Sequence, residues 1–368
     1  MGCYIGLMSG TSLDGVDGVI ARFGSGAAQV LAHANLALDT DLRGELMALN
    51  SRGDDELHRA ALAANALAEV YAETVAALLA KAAVPTSAVL AIGAHGQTVR
   101  HRPGEFDGVG YTLQLLNGAL LAERTGIAVV CDLRSRDIAA GGQGAPLVPA
   151  FHAECFARPG EDVAVLNLGG IANLTLLPAA GNPSGFDCGP GNALLDLWCL
   201  RHRGLSYDDG GLWAASGRVD ATLLSALLAE PFFDRRPPKS TGRDLFNARW
   251  LDLALQDRPD LPAEDVQATL AELTVCGAVE ALLGQAPGTT TLLVCGGGSR
   301  NALLMQRLGA LLPGTAVADS ATAGVPPDQV EALAFAWLAR ARIEGRPGNL
   351  PAVTGALGPR LLGAVYPA

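Results

Sequence analysis

Twice in this chain an apolar run stops at a turn of small residues and resumes at once as a second apolar run. The first copy is 4–8, then Ser9-Gly10-Thr11-Ser12-Leu13-Asp14-Gly15, then 16–23; the second is 163–168, then Gly169-Gly170, then 171–177. Each reads as a β-hairpin with turn formers at its tip. After the first come a helical stretch from about 54 to 81, closed by Pro85, and short strands at 89–92 and 127–131. The loop Gly141-Gly142-Gln143-Gly144-Ala145-Pro146 and an apolar helix over 147–156 complete that half. After the second come a strand at 291–294, the turn Cys295-Gly296-Gly297-Gly298-Ser299-Arg300-Asn301, and helices over 302–311 and 328–343. A polar break at 158–162 separates the halves. The repeat is of domain size, so the expectation is two related α/β domains facing each other, a common way to form a cleft.

Glycine turns at strand ends suit phosphate, because main-chain N–H groups can approach anionic oxygens there. The two lysines, Lys81 and Lys239, rule out the familiar alternatives. A Walker loop needs a glycine-framed Lys-Ser/Thr, but Lys239-Ser240 follows Pro238 and Lys81 lies inside the long helix. No G-x-G-x-x-G fits the first hairpin, and no lysine stands on an early strand as a protein kinase requires. The net charge of −11, with no basic cluster, excludes non-specific nucleic-acid binding. Seven scattered cysteines without a C-x-x-C argue against a disulfide framework or a zinc knuckle, and fit small buried side chains in a reducing compartment. The start has no basic n-region, and Glu69, Glu73 and Lys81 interrupt the apolar stretch 60–84. The expectation is a cytoplasmic protein without a membrane span.

What remains is a phosphate site made from two hairpin tips, with a glycine-rich strand–helix turn for the nucleoside. That pattern resembles the actin-like ATPase superfamily. A closer resemblance, to the anhydro-N-acetylmuramic acid kinase family, rests on eight runs in family order. They are Gly6-Leu7-Met8-Ser9-Gly10-Thr11-Ser12-Leu13-Asp14-Gly15-Val16-Asp17, Gly93-Ala94-His95-Gly96-Gln97-Thr98, the run from Ala140 to Pro149, Asn167-Leu168-Gly169-Gly170-Ile171-Ala172-Asn173-Leu174, Phe186-Asp187-Cys188-Gly189-Pro190-Gly191-Asn192, Pro238-Lys239-Ser240-Thr241-Gly242-Arg243, Val294-Cys295-Gly296-Gly297-Gly298-Ser299-Arg300-Asn301 and Glu331-Ala332-Leu333-Ala334-Phe335-Ala336. The chain departs from the family pattern at Leu133, at Cys188 and at 326–329, the last bearing on how Glu331 is presented.

The resemblance implies two actin-like (ribonuclease H-like) α/β domains, 1–160 and 161–368, around a central nucleotide and substrate cleft, with the last segment packing back on the first domain. It implies ATP and Mg²⁺ as cofactors, and an amino sugar with a 1,6-anhydro bridge as substrate. Water opens the bridge at C1, and O6 takes the γ-phosphoryl group, giving N-acetylmuramic acid 6-phosphate for cell-wall recycling. No nucleic-acid or membrane partner is expected, and a homodimer is left open. Two rivals keep the fold: a sugar kinase acting on a free hydroxyl, and a non-catalytic nucleotide-driven clamp. A glycosidase working through two carboxylates would leave the hairpin tips unexplained.

Asp187 is the expected catalytic base, with a turn or helix cap as the alternative. Gly10, Thr11, Ser12, Leu13, Asp14, Gly15, Val16 and Asp17 form the expected first phosphate turn. Gly169, Gly170 and Asn173 form the second, and Gly296, Gly297 and Gly298 the nucleoside turn; plain β-turns are the alternative. Asp14 suits Mg²⁺ through water, and Asp187 is the second metal candidate. Arg134 and Arg136 suit the lactyl carboxylate of muramic acid, or else pair with Asp132 or Asp137. Glu331 either accepts from sugar or water or serves as a helix N-terminal charge. His95 and Gln97 lie on a strand-end loop as sugar contacts, His95 equally as a structural hydrogen-bonding group. Lys239 either reaches phosphate or is solvated.

Overall fold

The first apolar run becomes strand β1 (Cys3–Ser9), with hardly an exposed position. A strand buried on both faces must be covered from both sides. The computed structural model, which describes residues 2–10, 13, 15–24, 28–242 and 245–368, supplies both layers. Two compact units divide the chain: Met1–Cys155 with Gln329–Ala368, and Phe156–Asp328.

In the first unit β1, β2 (Gly15–Arg22) and β3 (Gln29–Ala37) form an antiparallel meander. β4 (Val89–Ala94) joins β1 in parallel; β5 (Gln97–Pro103) and β6 (Gly110–Leu115) make a separate hairpin; β7 (Val129–Cys131) pairs in parallel with β4. A closing strand, Ala364–Tyr366, runs antiparallel along β7. The Glu56–Ala82 helix presents Leu67, Tyr71, Val75 and Leu78, a helical stripe, to one face. The Val330–Ile343 helix covers the other. Gly6 and Gly93 are register partners on β1 and β4. A Cβ on either would collide with that helix's main chain, at Ala332 and Ala336 or at Phe335. Glycine here lets a helix lie directly on the sheet.

In the second unit β8 (Val163–Leu168), β9 (Ile171–Leu177) and β10 (Ser184–Pro190) form the meander, and β11 (Thr291–Cys295) and β12 (Ala316–Asp319) extend it in parallel from β8. The order β10-β9-β8-β11-β12 repeats β3-β2-β1-β4-β7 strand for strand and sense for sense. The expected duplication is therefore present at the level of topology. The Ala263–Gln285 helix is buried almost all round. It and Glu56–Ala82 are long and apolar enough to cross a membrane by length and composition; each packs on its own unit's sheet.

Candidate functional site

In the second unit the candidate residues gather at one end of the sheet. Asp187, Asn173, Asn167 and Cys295 stand in one row across β10, β9, β8 and β11. Cross-strand partners share a face, so Asp187 and Asn173 are immediate neighbours. The tip after β8 is clamped: Asn192 N–H donates to the Gly169 carbonyl at 2.8 Å, and Ala193 N–H to the Gly170 carbonyl at 3.1 Å. Asn192 Nδ2 adds a bond to the Leu168 carbonyl at 2.9 Å. The turn after β11 packs on the same tip. Gly296 (φ 78°) and Gly298 both approach Leu168 too closely for a side chain, whereas a Cβ on Gly297 meets no atom within 4 Å. Gly297 thus borders open space between two constrained glycines.

Asp187 lies inside β10, at a bulge between Asp187 and Gly189. Bulges re-aim side chains. The Asp187 amide donates to the Lys239 carbonyl at 3.1 Å, and the Thr241 amide donates to Asp187 Oδ2 at 2.9 Å. Burial pushes the carboxyl up to about 6, against the lowering effects of the Thr241 amide and Lys239. A carboxylate with that value suits a general base near neutral pH. Lys239 Nζ donates to the Phe232 and Phe233 carbonyls at 3.2 and 3.1 Å, fixing the loop that holds Asp187.

In the first unit the turn after β1 includes Thr11, Ser12 and Asp14, which lie outside the described residues. Leu13 adopts φ 56°, and its amide bonds to the Gly10 carbonyl at 3.2 Å. The Leu13 and Val16 side chains are core. Gly15 lies against the Leu36 carbonyl. Asp17 accepts from Asn35 at 2.8 Å. Ser9 Oγ and Tyr71 Oη are 2.9 Å apart, and both bond to the Gly96 main chain, which pins the turn carrying His95 beside the end of β1.

His95 is buried against the Phe335 ring, 4.8 Å between centroids. Arg134 donates to His95 Nε2 through Nε at 3.2 Å and Nη2 at 2.9 Å, so the imidazole is neutral with its proton on Nδ1. Burial and Arg134 push His95 down to about 3. Arg134 also donates to the Gly144 carbonyl at 2.8 Å. Burial lowers it to about 10, while Glu331 and Asp137 support its charge. Glu331, in the first turn of Val330–Ile343, is raised by burial and by Asp17, and lowered by Arg134. Gln97 is buried, with Oε1 lacking a partner among the described residues. The unit thus brings His95, Arg134 and Glu331 together electrostatically, with Gln97 on the next strand. Arg136 is exposed. Sequence reasoning missed Tyr71, Asn167 and Thr241; the last two stand in the quoted runs, but only the pairing reveals their use.

Two copies of one strand order, each with a glycine-turned hairpin, define the actin-like class of α/β fold. The chain belongs to the anhydro-N-acetylmuramic acid kinase family, whose model matches residues 2–368. It is 59% identical to the anhydro-N-acetylmuramic acid kinase of Variovorax paradoxus, over 99% of both chains. It is 61% identical to that of Bordetella petrii, over 99% of this chain and 96% of the relative. Among solved structures it is similar to a Clostridium difficile activator of 2-hydroxyisocaproyl-CoA dehydratase (TM-score 0.47, 13% identity, 93% and 96% of the two chains). A ROK hexokinase from Thermus thermophilus also matches (TM-score 0.37, 17% identity, 91% and 99%).

Proposed function

We propose that this chain is an ATP-dependent kinase that opens 1,6-anhydro-N-acetylmuramic acid and phosphorylates O6. The observation that carries the reading is Asp187, a carboxyl raised to about 6 at a strand bulge and held by the Thr241 amide beside Asn173 and the glycine turns. In this reading Asp187 takes a proton from water, and the water oxygen bonds to C1. The C1–O6 bond breaks, O6 bonds to the γ-phosphorus, and the bond to the ADP oxygen breaks. The turns around Gly10 and Gly169-Gly170 hold phosphates, and Gly296-Gly297-Gly298 border the nucleoside. Arg134, kept charged, holds the lactyl carboxylate; neutral His95, Gln97 and Glu331 anchor the sugar.

Mg²⁺ would be held beside the nucleotide phosphates and would need only one or two protein carboxylates. Among the described residues no group of three or more His, Cys, Asp or Glu converges as a metal cage; Asp187 would be one carboxylate for this lighter demand, and Asp14, outside the described residues, the other. When bound, the ion neutralises phosphate charge. The setting is cytoplasmic cell-wall recycling. ADP release with and without the anhydro-sugar tests the reading. Turnover should require the sugar; ATP hydrolysis indifferent to it would favour a nucleotide-driven clamp.

A further inference from the structure

The Arg134 guanidinium is aimed through the loop after the short Ser135–Ala139 helix, and that loop is held by a buried acid that plays no part in the reading above. Asp137 is fully buried. Its Oδ2 accepts the Gly144 amide at 2.8 Å; its Oδ1 accepts Asn349 Nδ2 at 2.7 Å and Thr354 Oγ at 2.8 Å. Its carbonyl accepts the Gly142 amide at 2.9 Å, and Gly142 has no room for a side chain beside the carboxylate. The Gln143 amide between them donates to the Thr354 carbonyl at 2.7 Å. Gly144, so fixed, offers its carbonyl to Arg134 Nη1 at 2.8 Å.

Three donors converge on one carboxylate. An amide in its place has a single acceptor oxygen, so at least one donor would face an NH₂ group whichever way it turned. A buried anion is costly unless fully hydrogen-bonded, and here it is. We infer that Asp137, with Asn349 and Thr354 from the C-terminal segment, is a positioning residue that orients Arg134 toward the substrate carboxylate. The inference rests on the reading that Arg134 binds the lactyl group.

The test compares 1,6-anhydro-N-acetylmuramic acid with its counterpart lacking the lactyl ether, 1,6-anhydro-N-acetylglucosamine, in Arg134→Ala, Asp137→Asn, Thr354→Val and Thr354→Ser. The readout is the ratio of kcat/KM for the two sugars, which a general loss of folded enzyme leaves unchanged. Asp137→Asn and Thr354→Val should lower the preference for the lactyl sugar about three- to tenfold, through KM, with the KM for ATP constant; Thr354→Ser should restore it. Should Asp137→Asn fail to fold, Thr354→Val carries the test. An unchanged ratio in Arg134→Ala overturns the reading and the inference with it. A fallen ratio in Arg134→Ala with an unchanged ratio in the folded Asp137 and Thr354 variants overturns the inference alone.

Discussion

The Thr241 amide donates to Asp187 Oδ2 across a gap of 54 residues, so the carboxylate is oriented by a loop and not by its own strand. That loop is in turn fixed by Lys239 through the carbonyls of Phe232 and Phe233. Asp187→Asn keeps the shape but cannot take a proton from water. The variant should fold, bind ATP and sugar, and lose about 10²–10⁴-fold in kcat. Near-normal turnover would make Asp187 a structural group.

The raised value of Asp187 also sets a pH dependence. With Asp187 as the proposed base, kcat/KM should fall as pH drops through about 6. Stability moves the other way. The folded chain holds this proton up to about pH 6, the unfolded chain only to about 4. The favourable contribution is complete below about 4 and is lost as pH rises to about 6. Asp187→Asn should therefore raise the thermal midpoint at pH 7.5. The gain is about 1–2 kcal/mol, allowing for screening at this part-exposed site. A lower midpoint at that pH contradicts the assignment of the shift to burial.

Gly297 borders open space, whereas Gly298 packs against Leu168. Gly297→Val should fold with a nearly unchanged melting temperature, since a Cβ there meets no atom within 4 Å, and should abolish ATP binding measured by calorimetry. Gly298→Val should fail to fold well, because its Cβ would sit 2.6 Å from Leu168 Cβ. Normal ATP affinity in Gly297→Val removes the nucleoside from this turn.

The two arginines should separate as well. Arg134→Ala should raise KM for the lactyl-bearing sugar about tenfold or more, the worth of a charge-assisted hydrogen bond. Arg136→Ala, on an exposed position, should change it less than twofold. The reverse order would move the carboxylate contact to Arg136.

Much of this architecture is legible in the sequence, for identifiable reasons. Both hairpins declare themselves because their strands are apolar and their tips are glycine. β10 does not, since Gly185, Gly189 and Pro190 read as turn formers while the structure uses them around a bulge. The Ala263–Gln285 helix shows no stripe to read, because nearly every position from Val266 to Val279 is buried. At the site, residue types pointed to Asp187, Arg134 and His95. Their partners Thr241, Gly144 and Tyr71 are chosen by long-range pairing that no local pattern encodes. Gly6 beside Gly93 is of the same kind: its meaning lies in a helix more than 230 residues further on. Gly6→Ala should accordingly cost about 3 kcal/mol or more by thermal unfolding.

The central claim is that water and phosphoryl transfer are joined in one reaction, and the mass of the product tests it most directly. Incubated with ATP and 1,6-anhydro-N-acetylmuramic acid, the wild-type protein should yield a sugar heavier by a phosphoryl group and one water, with its reducing end free. A product heavier by the phosphoryl group alone, with the anhydro bridge intact, would contradict the account and leave a kinase acting on a free hydroxyl.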